Sequence, residues 1–498
     1  LQSAIDEFVP YKQVSSTPTT NTKKYPRGLR AKAQRKKCLW RLYRRDRGNQ
    51  QLLDRYQQAA REYRSAVHDY EIAQERKIID AKNTGAFYQF INRKSGRRHG
   101  VGVLQTESGE QLNTSKAKAE VLNSYFSSVG TKDDGLDPTF ERRVPDNVGL
   151  DTVQFSPDNL LKVGRKLNSK TTTDPDGYSY YFLKQILPAV AVPLSMMFES
   201  FMSVGKTPAQ WKTAVITPLF KKGASSQVSN YSPISLTSVF SKLMERVISS
   251  ELIEYLQSKS LITREQHGFL SKRSTSTNML ESLNDWTLNF DSKNTQTVAY
   301  VVFAKAFNSV GHRKLLIKLS GYGVGGSLLK WISDFLTDRS CQTGVDGYVS
   351  SRLSISSGVV QGSCIGPVLF VIFINDITDI LPVGTKIKLF ADDVKLYSTV
   401  NTEPSVLQHC LDLISEWSRK WQLPISYKKC QIFTTDRHLN DNIIYRINSN
   451  TVPSVSEAVD LGVTLDSSLK FSQHVTKIAE KGHRVANLIL KCFQSRDA

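Results

Sequence analysis

The chain has 498 residues, of which 40% are hydrophobic and 22% charged, a composition typical of globular proteins rather than disordered or fibrous ones. Its 66 lysines and arginines outnumber 46 acidic residues and leave a formal net charge of +20, which favours a polyanionic partner, either nucleic acid or an anionic membrane surface. The six cysteines are widely spaced and include no CxxC pair, which argues against a disulfide framework or a zinc knuckle. The longest uninterrupted apolar stretch, Val368 to Ile374, is far shorter than the roughly 20 residues that span a membrane.

The first 99 residues divide into a leader and a basic region. Residues 1–28 contain three prolines among serines and threonines, which predicts a flexible leader. In residues 29–99, apolar residues recur at a helical period, and we predict one or two long basic amphipathic helices over residues 29–82. This basic helical region is either a phosphate-binding arm or a solvated helix packed on the rest of the chain. The candidate nucleic-acid-binding residues are Lys36, Lys37, Arg41, Arg44 and Arg45.

Residues 100–155 are rich in glycine, aspartate and proline, which predicts a connector with one short helix over Ser115 to Ser128. Helical and β-rich patterns then alternate without a glycine-rich dinucleotide fingerprint, which predicts an α+β domain over residues 156–470. The predicted helices of this domain are Ser156–Leu167, Ser179–Val204, Leu315–Leu336 and Ser405–Trp421. The predicted strands are Ile216–Phe220, Val298–Phe303 and Ile387–Phe390.

The sharpest local feature is the adjacent acidic pair Asp392 and Asp393. Apolar residues occupy alternate positions both before and after the pair, which predicts that the two aspartates lie at the tip of a β-hairpin. Neighbouring carboxylates raise each other's pKa, and divalent metal ions neutralise them in two-metal sites for nucleotidyl transfer. On its own such a pair is more often a simple turn, so its interpretation depends on the motifs around it.

A series of motifs accompanies the acidic pair in a fixed order. The segment Gly358–Asp376 consists of a loop that contains glycines and a proline, followed by an apolar helix. The other segments are Trp211–Gly223, Asn230–Leu236, Gln266–Phe269, Phe303–Val310 and Leu461–Asp466. This series resembles the reverse transcriptase of LINE-type, jockey-like non-long-terminal-repeat (non-LTR) retrotransposons. The resemblance extends over nearly the whole chain, from the basic N-terminal helices to Asp466.

The resemblance implies an α+β right-hand polymerase preceded by long basic N-terminal helices. Its fingers would extend to about residue 290, its palm would carry the acidic hairpin within a core of about residues 200–470, and residues 471–498 would begin a truncated thumb. The implied cofactor is Mg2+, with Mn2+ as an alternative. The implied partners are an RNA template, a DNA primer and deoxynucleoside triphosphates, with no membrane, and the upstream endonuclease would be missing.

Site residues follow from the same resemblance, position by position. Asp392 and Asp393 match the palm carboxylates that hold Mg2+, and Lys429 matches a lysine that acts as general acid toward pyrophosphate. Phe307 matches the aromatic residue that excludes a sugar 2′-hydroxyl group. The remaining matches place Lys221 and Lys222 near the incoming triphosphate, Gln361 and Gly362 in the loop that lines the nascent base pair, and Leu461 and Gly462 at the start of the primer grip.

Six positions depart from the family pattern. Val302 stands where the family has the third metal-binding aspartate, and no aspartate or glutamate occurs from Ser292 to Ser333. Asn308 replaces a second aspartate after Phe307. The other departures are Ser232 for an arginine, Val360 for a proline, Ser426 for an asparagine, and Asp174 in a Gly-Pro-Asp-Gly turn.

The sequence therefore predicts an RNA-directed DNA polymerase that uses two-metal nucleotidyl transfer. In this copy we expect activity to be reduced by roughly a thousandfold or more, because Val302 replaces a carboxylate. The alternatives are a catalytically inactive nucleic-acid-binding remnant and a fragment with an incomplete fold. Since neither a signal peptide nor a membrane span is recognised in the sequence, cytoplasmic and nuclear localisation is expected.

Overall fold

The structure, a computed structural model, describes residue 7 and residues 25–95, 100–106, 108–292, 294–398, 404–435 and 443–495. It contains two compact units, one formed by residues 1–98 and 478–498 and the other by residues 99–477. Most of the predicted leader, residues 1–28, lies outside the described residues.

The first unit is helical. It contains α1 (Arg27–Arg45), α2 (Gln50–Asp80), α3 (Thr84–Lys94) and the second part of α14 (Ser472–Cys492). Helices α1 and α2 are antiparallel: the Trp40 and Tyr56 ring centroids lie 4.9 Å apart, and the Lys36 ammonium group lies 4.7 Å from the Tyr63 ring. The structure has two helices between residues 27 and 80, where one or two are predicted over residues 29–82, and the Asn49 side chain caps α2.

The second unit is built around a five-stranded sheet with the strand order β14-β11-β5-β10-β9. Its central strand β5 (Thr297–Val302) pairs antiparallel with β10 (Asp393–Ser398) and β11 (Gln431–Thr434). The outer strands are β9 (Thr385–Phe390) and β14 (Ser454–Val455). The predicted strands Val298–Phe303 and Ile387–Phe390 are confirmed to within a few residues.

One face of this sheet packs on helices that form the main core. These helices are α9 (Ala306–Ser309), α10 (His312–Gly321), α11 (Gly326–Leu336), α12 (Gly366–Ile374) and α13 (Pro404–Lys420). Helix α13 confirms the predicted helix Ser405–Trp421. The prediction of one helix over Leu315–Leu336 is wrong, because the chain turns between α10 and α11. Gly323 in this turn has φ +82°, and a Cβ there would lie 2.5 Å from the Tyr255 hydroxyl oxygen.

The opposite face of the same sheet is covered by α8 (Thr275–Asp291) and by the hairpin of β15 (Glu457–Asp460) and β16 (Val463–Asp466). Trp286, Tyr300 and Leu465 are buried in the apolar cluster between them. A smaller hairpin of β12 (Arg446–Ile447) and β13 (Asn450–Thr451) precedes β14.

A second sheet has the order β4-β3-β6-β7, with β8 (Leu353–Ile355) also paired to β6 (Arg339–Val345). Strand β3 (Thr213–Phe220) starts earlier than the predicted Ile216–Phe220 and pairs antiparallel with β4 (Tyr231–Leu236). Strand β7 (Tyr348–Val349) completes it. The predicted connector contains a short hairpin, β1 (Leu104–Gln105) and β2 (Gln111–Leu112), and α4 (Ser115–Ser128), which has the predicted bounds and packs on this sheet.

Three further helices surround these sheets, α5 (Pro157–Arg165), α6 (Tyr180–Val204) and α7 (Val239–Ser258). Helices α5 and α6 confirm the predicted segments Ser156–Leu167 and Ser179–Val204, with the two serines as N-caps. Within the described residues, α6 is the one helix that is long and apolar enough to cross a membrane by length and composition. Its Leu187 and Phe198 side chains are nevertheless buried in the core.

Candidate active site

The hairpin of β9 and β10 carries the acidic pair at its tip. Phe390 pairs with Asp393, so Ala391 and Asp392 form the turn and Asp393 begins β10. Ala391 adopts a left-handed backbone conformation with φ +56°. The predicted position of the two aspartates at a hairpin tip is confirmed.

The carboxyl groups of Asp392 and Asp393 both have raised pKa values. Desolvation by the surrounding protein is the main cause, and it raises the pKa of Asp393 to about 6, with further contributions from Asp392 and Asp460. The ammonium groups of Lys221 and Lys429 oppose the rise in the pKa of Asp392, so the structure brings these two lysines into the electrostatic surroundings of the pair. Two carboxyl groups that resist ionising together are suited to a cation that neutralises both.

Val302 is the last residue of β5 and lies directly across from Asp393 in the antiparallel ladder. The side chains of such a pair lie on the same face with Cβ atoms about 5 Å apart, so the Val302 isopropyl group borders Asp393. The Val302 carbonyl oxygen accepts the backbone N–H of Ser426 at 2.8 Å, which anchors this end of β5. Across the part of the chain that the structure describes, no cluster of three or more His, Cys, Asp or Glu side chains is arranged to hold a metal ion.

A buried ion pair lies beside the hairpin. Lys395 Nζ is 2.7 Å from Asp460 Oδ2, and the Tyr300 hydroxyl group donates to the same oxygen at 3.3 Å. Asp460 directly precedes the turn at Leu461 and Gly462, whose φ angles are +46° and +91°. The ion pair thus links the predicted primer-grip turn to the strand that begins with Asp393. No sequence pattern indicated it, because the two residues are 65 positions apart.

The glycine-rich loop that contains Gln361 and Gly362 is held against β4. The backbone N–H of Ser235 donates to the Gln361 carbonyl oxygen at 2.8 Å. Gly362 has φ +118°, and a Cβ there would lie 2.5 Å from the Ser235 carbonyl oxygen. Only glycine therefore permits this approach of the loop to the strand.

Phe307 lies in α9 between this loop and the core. Its ring stacks on Phe370 with centroids 4.5 Å apart and meets the edge of the Phe269 ring at 5.9 Å. Its carbonyl oxygen accepts the backbone N–H of Val359 at 2.8 Å. Phe307 is therefore a half-buried residue whose position is coupled both to the core and to the glycine-rich loop.

The remaining predicted site residues lie in two places. Lys222 follows Lys221 in an exposed turn after β3. The five predicted nucleic-acid-binding cations all lie on α1 in the first unit, where four are exposed and one is half-buried: Lys36 (half-buried), Lys37, Arg41, Arg44 and Arg45.

Asp174 has a role that the sequence analysis missed. Its Oδ2 accepts the backbone N–H of Val239, the first residue of α7, at 2.7 Å. Its Oδ1 accepts the N–H groups of Asp176 and Tyr178 at 3.0 and 2.8 Å. The residue that departs from the family turn therefore orders that turn and caps α7.

His312 predicts a pH dependence of stability. Its Nε2 lies 2.8 Å from the Gly358 carbonyl oxygen, so a neutral ring with a proton on Nε2 donates to it. Burial lowers the pKa of His312, Arg339 adds to this effect, and the Gly358 carbonyl group and Asp133 oppose it. Below the ordinary histidine value of about 6.5 the unfolded chain binds a proton that the folded chain does not, so stability falls as the pH drops.

In urea unfolding at several pH values, His312→Gln is expected to lose less stability than the unmodified chain between neutral and acidic pH. Glutamine keeps a donor for the Gly358 carbonyl oxygen but does not titrate. The pKa of His267 is also lowered by burial, so the prediction concerns the difference between the two proteins. Identical pH profiles would contradict it.

Residues 220–465 match the family model described as reverse transcriptase (RNA-dependent DNA polymerase). The chain is 27% identical over 418 residues to the RNA-directed DNA polymerase from mobile element jockey of Drosophila melanogaster, covering 80% of this chain and 45% of that protein. It is 25% identical over 333 residues to the probable RNA-directed DNA polymerase from transposon X-element of the same species, covering 65% of this chain and 36% of that one. The chain thus spans about half the length, or less, of these curated relatives.

Among solved structures, the chain is similar to apo telomerase from Candida tropicalis truncated from its C-terminal domain. The similarity covers 57% of this chain and 59% of that chain, with a TM-score of 0.36 and 11% sequence identity.

Proposed function

Residues 220–465 belong to the reverse transcriptase family, and we propose that the second unit is the RNA-directed DNA polymerase of a jockey-like non-LTR retrotransposon. The observation that carries the proposal is the acidic pair at the β9–β10 tip, with Lys221 and Lys429 near enough to oppose the rise in the pKa of Asp392. In this proposal the second unit contains the fingers and palm of a right-hand polymerase, and residues 471–498 begin its thumb. The partners are an RNA template, a DNA primer and deoxynucleoside triphosphates, in the cytoplasm and nucleus.

Each side chain of the site has a distinct role in this proposal. Lys221 and Lys222 bind the triphosphate as point charges, and Lys429 donates a proton to the leaving pyrophosphate. The Phe307 ring excludes a 2′-hydroxyl group from the sugar position. Gln361 and Gly362 line the nascent base pair, and the turn at Leu461 and Gly462 holds the primer.

Asp392 and Asp393 would hold Mg2+, or Mn2+ as an alternative. Their raised pKa values support this assignment, because desolvation and mutual repulsion are relieved when a cation neutralises both carboxylates. When bound, the metal ion supplies electrostatic stabilisation of the attacking and leaving oxygens in nucleotidyl transfer. The chain's own carboxylates fix where that charge lies relative to the triphosphate.

We propose further that this copy is impaired because Val302 borders Asp393 where the family pattern has an aspartate. A valine side chain offers no oxygen ligand and places apolar atoms beside the acidic pair. The backbone supports the assignment of this position, since Val302 and Asp393 are paired in register on adjacent strands. The site therefore has two acidic ligands and an apolar third position.

The test is incorporation of dTTP on a poly(rA)/oligo(dT) template with Mg2+ by the chain that carries Val302→Asp. Extension that requires the template and disappears when Asp392→Asn is added is the expected result. If the chain with Val302→Asp binds the primer–template but does not extend it, the polymerase proposal is wrong. The second candidate function, a catalytically inactive nucleic-acid-binding remnant, would then stand.

That second candidate is supported by the cationic face of α1. Lys37, Arg41 and Arg44 are exposed on it, and Trp40 is 41% exposed among them. Cations interleaved with an aromatic side chain suit a phosphate backbone with bases beside it. This binding role is compatible with either polymerase activity or its loss.

Salt dependence provides a prediction for α1. Alanine substitution of its five candidate cations is expected to reduce the slope of log affinity against log salt concentration for duplex DNA by up to about 4.5, because each neutralised phosphate contributes about 0.9. The measurement is a fluorescence-anisotropy titration at several NaCl concentrations. A control variant removes the same charge from exposed cations of the second unit: Lys166, Lys170, Lys259, Lys330 and Arg352. Equal loss in both variants would show that binding follows net charge and not α1.

A further inference from the structure

A buried glutamine contacts the turn that carries Asp392. Gln266 is 1% exposed, and its Oε1 accepts the backbone N–H of Ala391 at 3.0 Å and that of Gly268 at 2.7 Å. From these contacts we infer that Gln266 is a positioning residue that holds the Ala391–Asp392 turn in place. The functional part of this inference depends on the proposed polymerase activity, but the contact itself does not.

The glutamine is placed by backbone pairing rather than by its side chain alone. The Leu389 N–H donates to the Glu265 carbonyl oxygen at 2.9 Å, and the His267 N–H donates to the Leu389 carbonyl oxygen at 2.9 Å. The segment around Gln266 is therefore fixed alongside β9, which leads directly into the turn. A side chain held on both sides by backbone hydrogen bonds has little freedom to follow movements of the hairpin tip.

Gly268 allows the segment to lie against the turn. A Cβ at this position would lie 2.4 Å from the Ala391 nitrogen, a distance that no side chain permits without a shift of one backbone. The glycine thus brings the segment close enough for the Gln266 oxygen to reach the Ala391 N–H.

The turn needs an external partner of this kind. Ala391 has φ +56°, a conformation that costs an alanine free energy and that the turn keeps only when its surroundings hold it. The Gln266 oxygen supplies a partner for the N–H of this strained residue. Catalytic groups must be held to within about 0.5 Å of their productive positions. Loss of this contact would therefore let Asp392 move out of position.

The Nε2 group of the Gln266 amide shows which substitution can preserve the contact with the turn. Its Nε2 is buried and has no hydrogen-bond partner among the residues that the structure describes. Two N–H donors on Oε1 fix the orientation of the amide, so all of its contribution comes from the oxygen. Gln266→Glu keeps an accepting oxygen in the same place, whereas Gln266→Leu removes it at similar size.

Hydrogen exchange of the peptide that contains Ala391 and Asp392 tests the contact without requiring activity. We expect Gln266→Leu to speed amide exchange in this peptide by about tenfold and Gln266→Glu to restore most of the protection. The matched control is Asn278→Leu, because Asn278 is also 1% exposed and donates to the Leu389 carbonyl oxygen but not to the turn. Unchanged exchange in Gln266→Leu, or equal loss in the control, would overturn the inference.

Primer extension on a background of Val302→Asp tests the functional consequence. Gln266→Leu should lower kcat by tenfold or more with little change in KM for dTTP, and Gln266→Glu should recover most of the loss. If the turn loses protection while kcat is unchanged, Gln266 does not position Asp392 for the chemistry. If the background variant itself shows no extension, the proposed function fails, and the exchange experiment still decides whether Gln266 holds the turn.

Discussion

Replacing Val302 with aspartate is expected to raise the rate of Mg2+-dependent primer extension by about three orders of magnitude or more. The new carboxylate would face Asp393 across the β5–β10 ladder and supply the third oxygen ligand of the acidic site. Metal ions provide several kcal/mol of transition-state stabilisation in nucleotidyl transfer, and each 1.36 kcal/mol is a tenfold change in rate. The measurement is the initial rate of dTTP incorporation under matched conditions.

The matched control for this prediction is Val302→Asn. Asparagine has nearly the same size as aspartate and also removes the apolar side chain, but it carries no charge to balance a divalent cation. We expect it to give little of the gain. Equal rates for the aspartate and asparagine variants would assign the defect to the bulk of the valine and not to the missing carboxylate.

The second large effect concerns the buried ion pair of Lys318 and Asp376 beneath the main sheet. The Lys318 side chain is completely buried, and its ammonium group contacts Asp376 Oδ1 and the Phe373 carbonyl oxygen. Burial lowers the pKa of Lys318 to about 8 while Asp376 opposes the change, so the Lys318 ammonium group is charged at neutral pH. The rings around the ammonium group, with centroid distances from 3.8 to 5.8 Å, are Phe140, Phe373, Trp417 and Trp421.

Lys318→Met is expected to lower the free energy of unfolding by about 3–5 kcal/mol, because it leaves the Asp376 carboxylate buried without its cation. Adding Asp376→Leu should recover much of the loss, since an apolar pair of similar volume replaces a buried ion pair with little or no penalty. Urea denaturation of the three proteins measures both effects. A double variant as unstable as the single one would show that the loss comes from packing and cation–π contacts rather than from the uncompensated charge.

Local patterns predicted the parts of the fold that local interactions determine. The β9–β10 hairpin follows from apolar alternation on either side of Asp392 and Asp393, and the helix Ser115–Ser128 follows from its period and its threonine cap. A local signal does mark the break between α10 and α11, the glycines Gly321, Gly323, Gly325 and Gly326, and a prediction that weighs apolar periodicity alone runs through it.

Beyond the acidic pair Asp392 and Asp393, the site was predictable only where the resemblance to a family supplied positions. Composition and spacing did not indicate that Lys221 and Lys429 lie near Asp392, since they are on separate elements. Gln266 and Asp460 were missed as supporting residues because their hydrogen bonds cross more than 60 positions of sequence. The sequence indicates Asp174 only as a departure from a turn motif, whereas its carboxylate also caps α7.

We propose that Asp392 and Asp393 hold the catalytic metal and that Val302 leaves their site one acidic ligand short. Mn2+ binding followed by electron paramagnetic resonance, in the presence of primer–template, tests it most directly. We expect Mn2+ to bind at least about tenfold more tightly to the chain with Val302→Asp than to the unmodified chain, and binding to be lost when Asp392→Asn and Asp393→Asn are combined in either. Mn2+ affinity unchanged by the combined aspartate substitutions would contradict it.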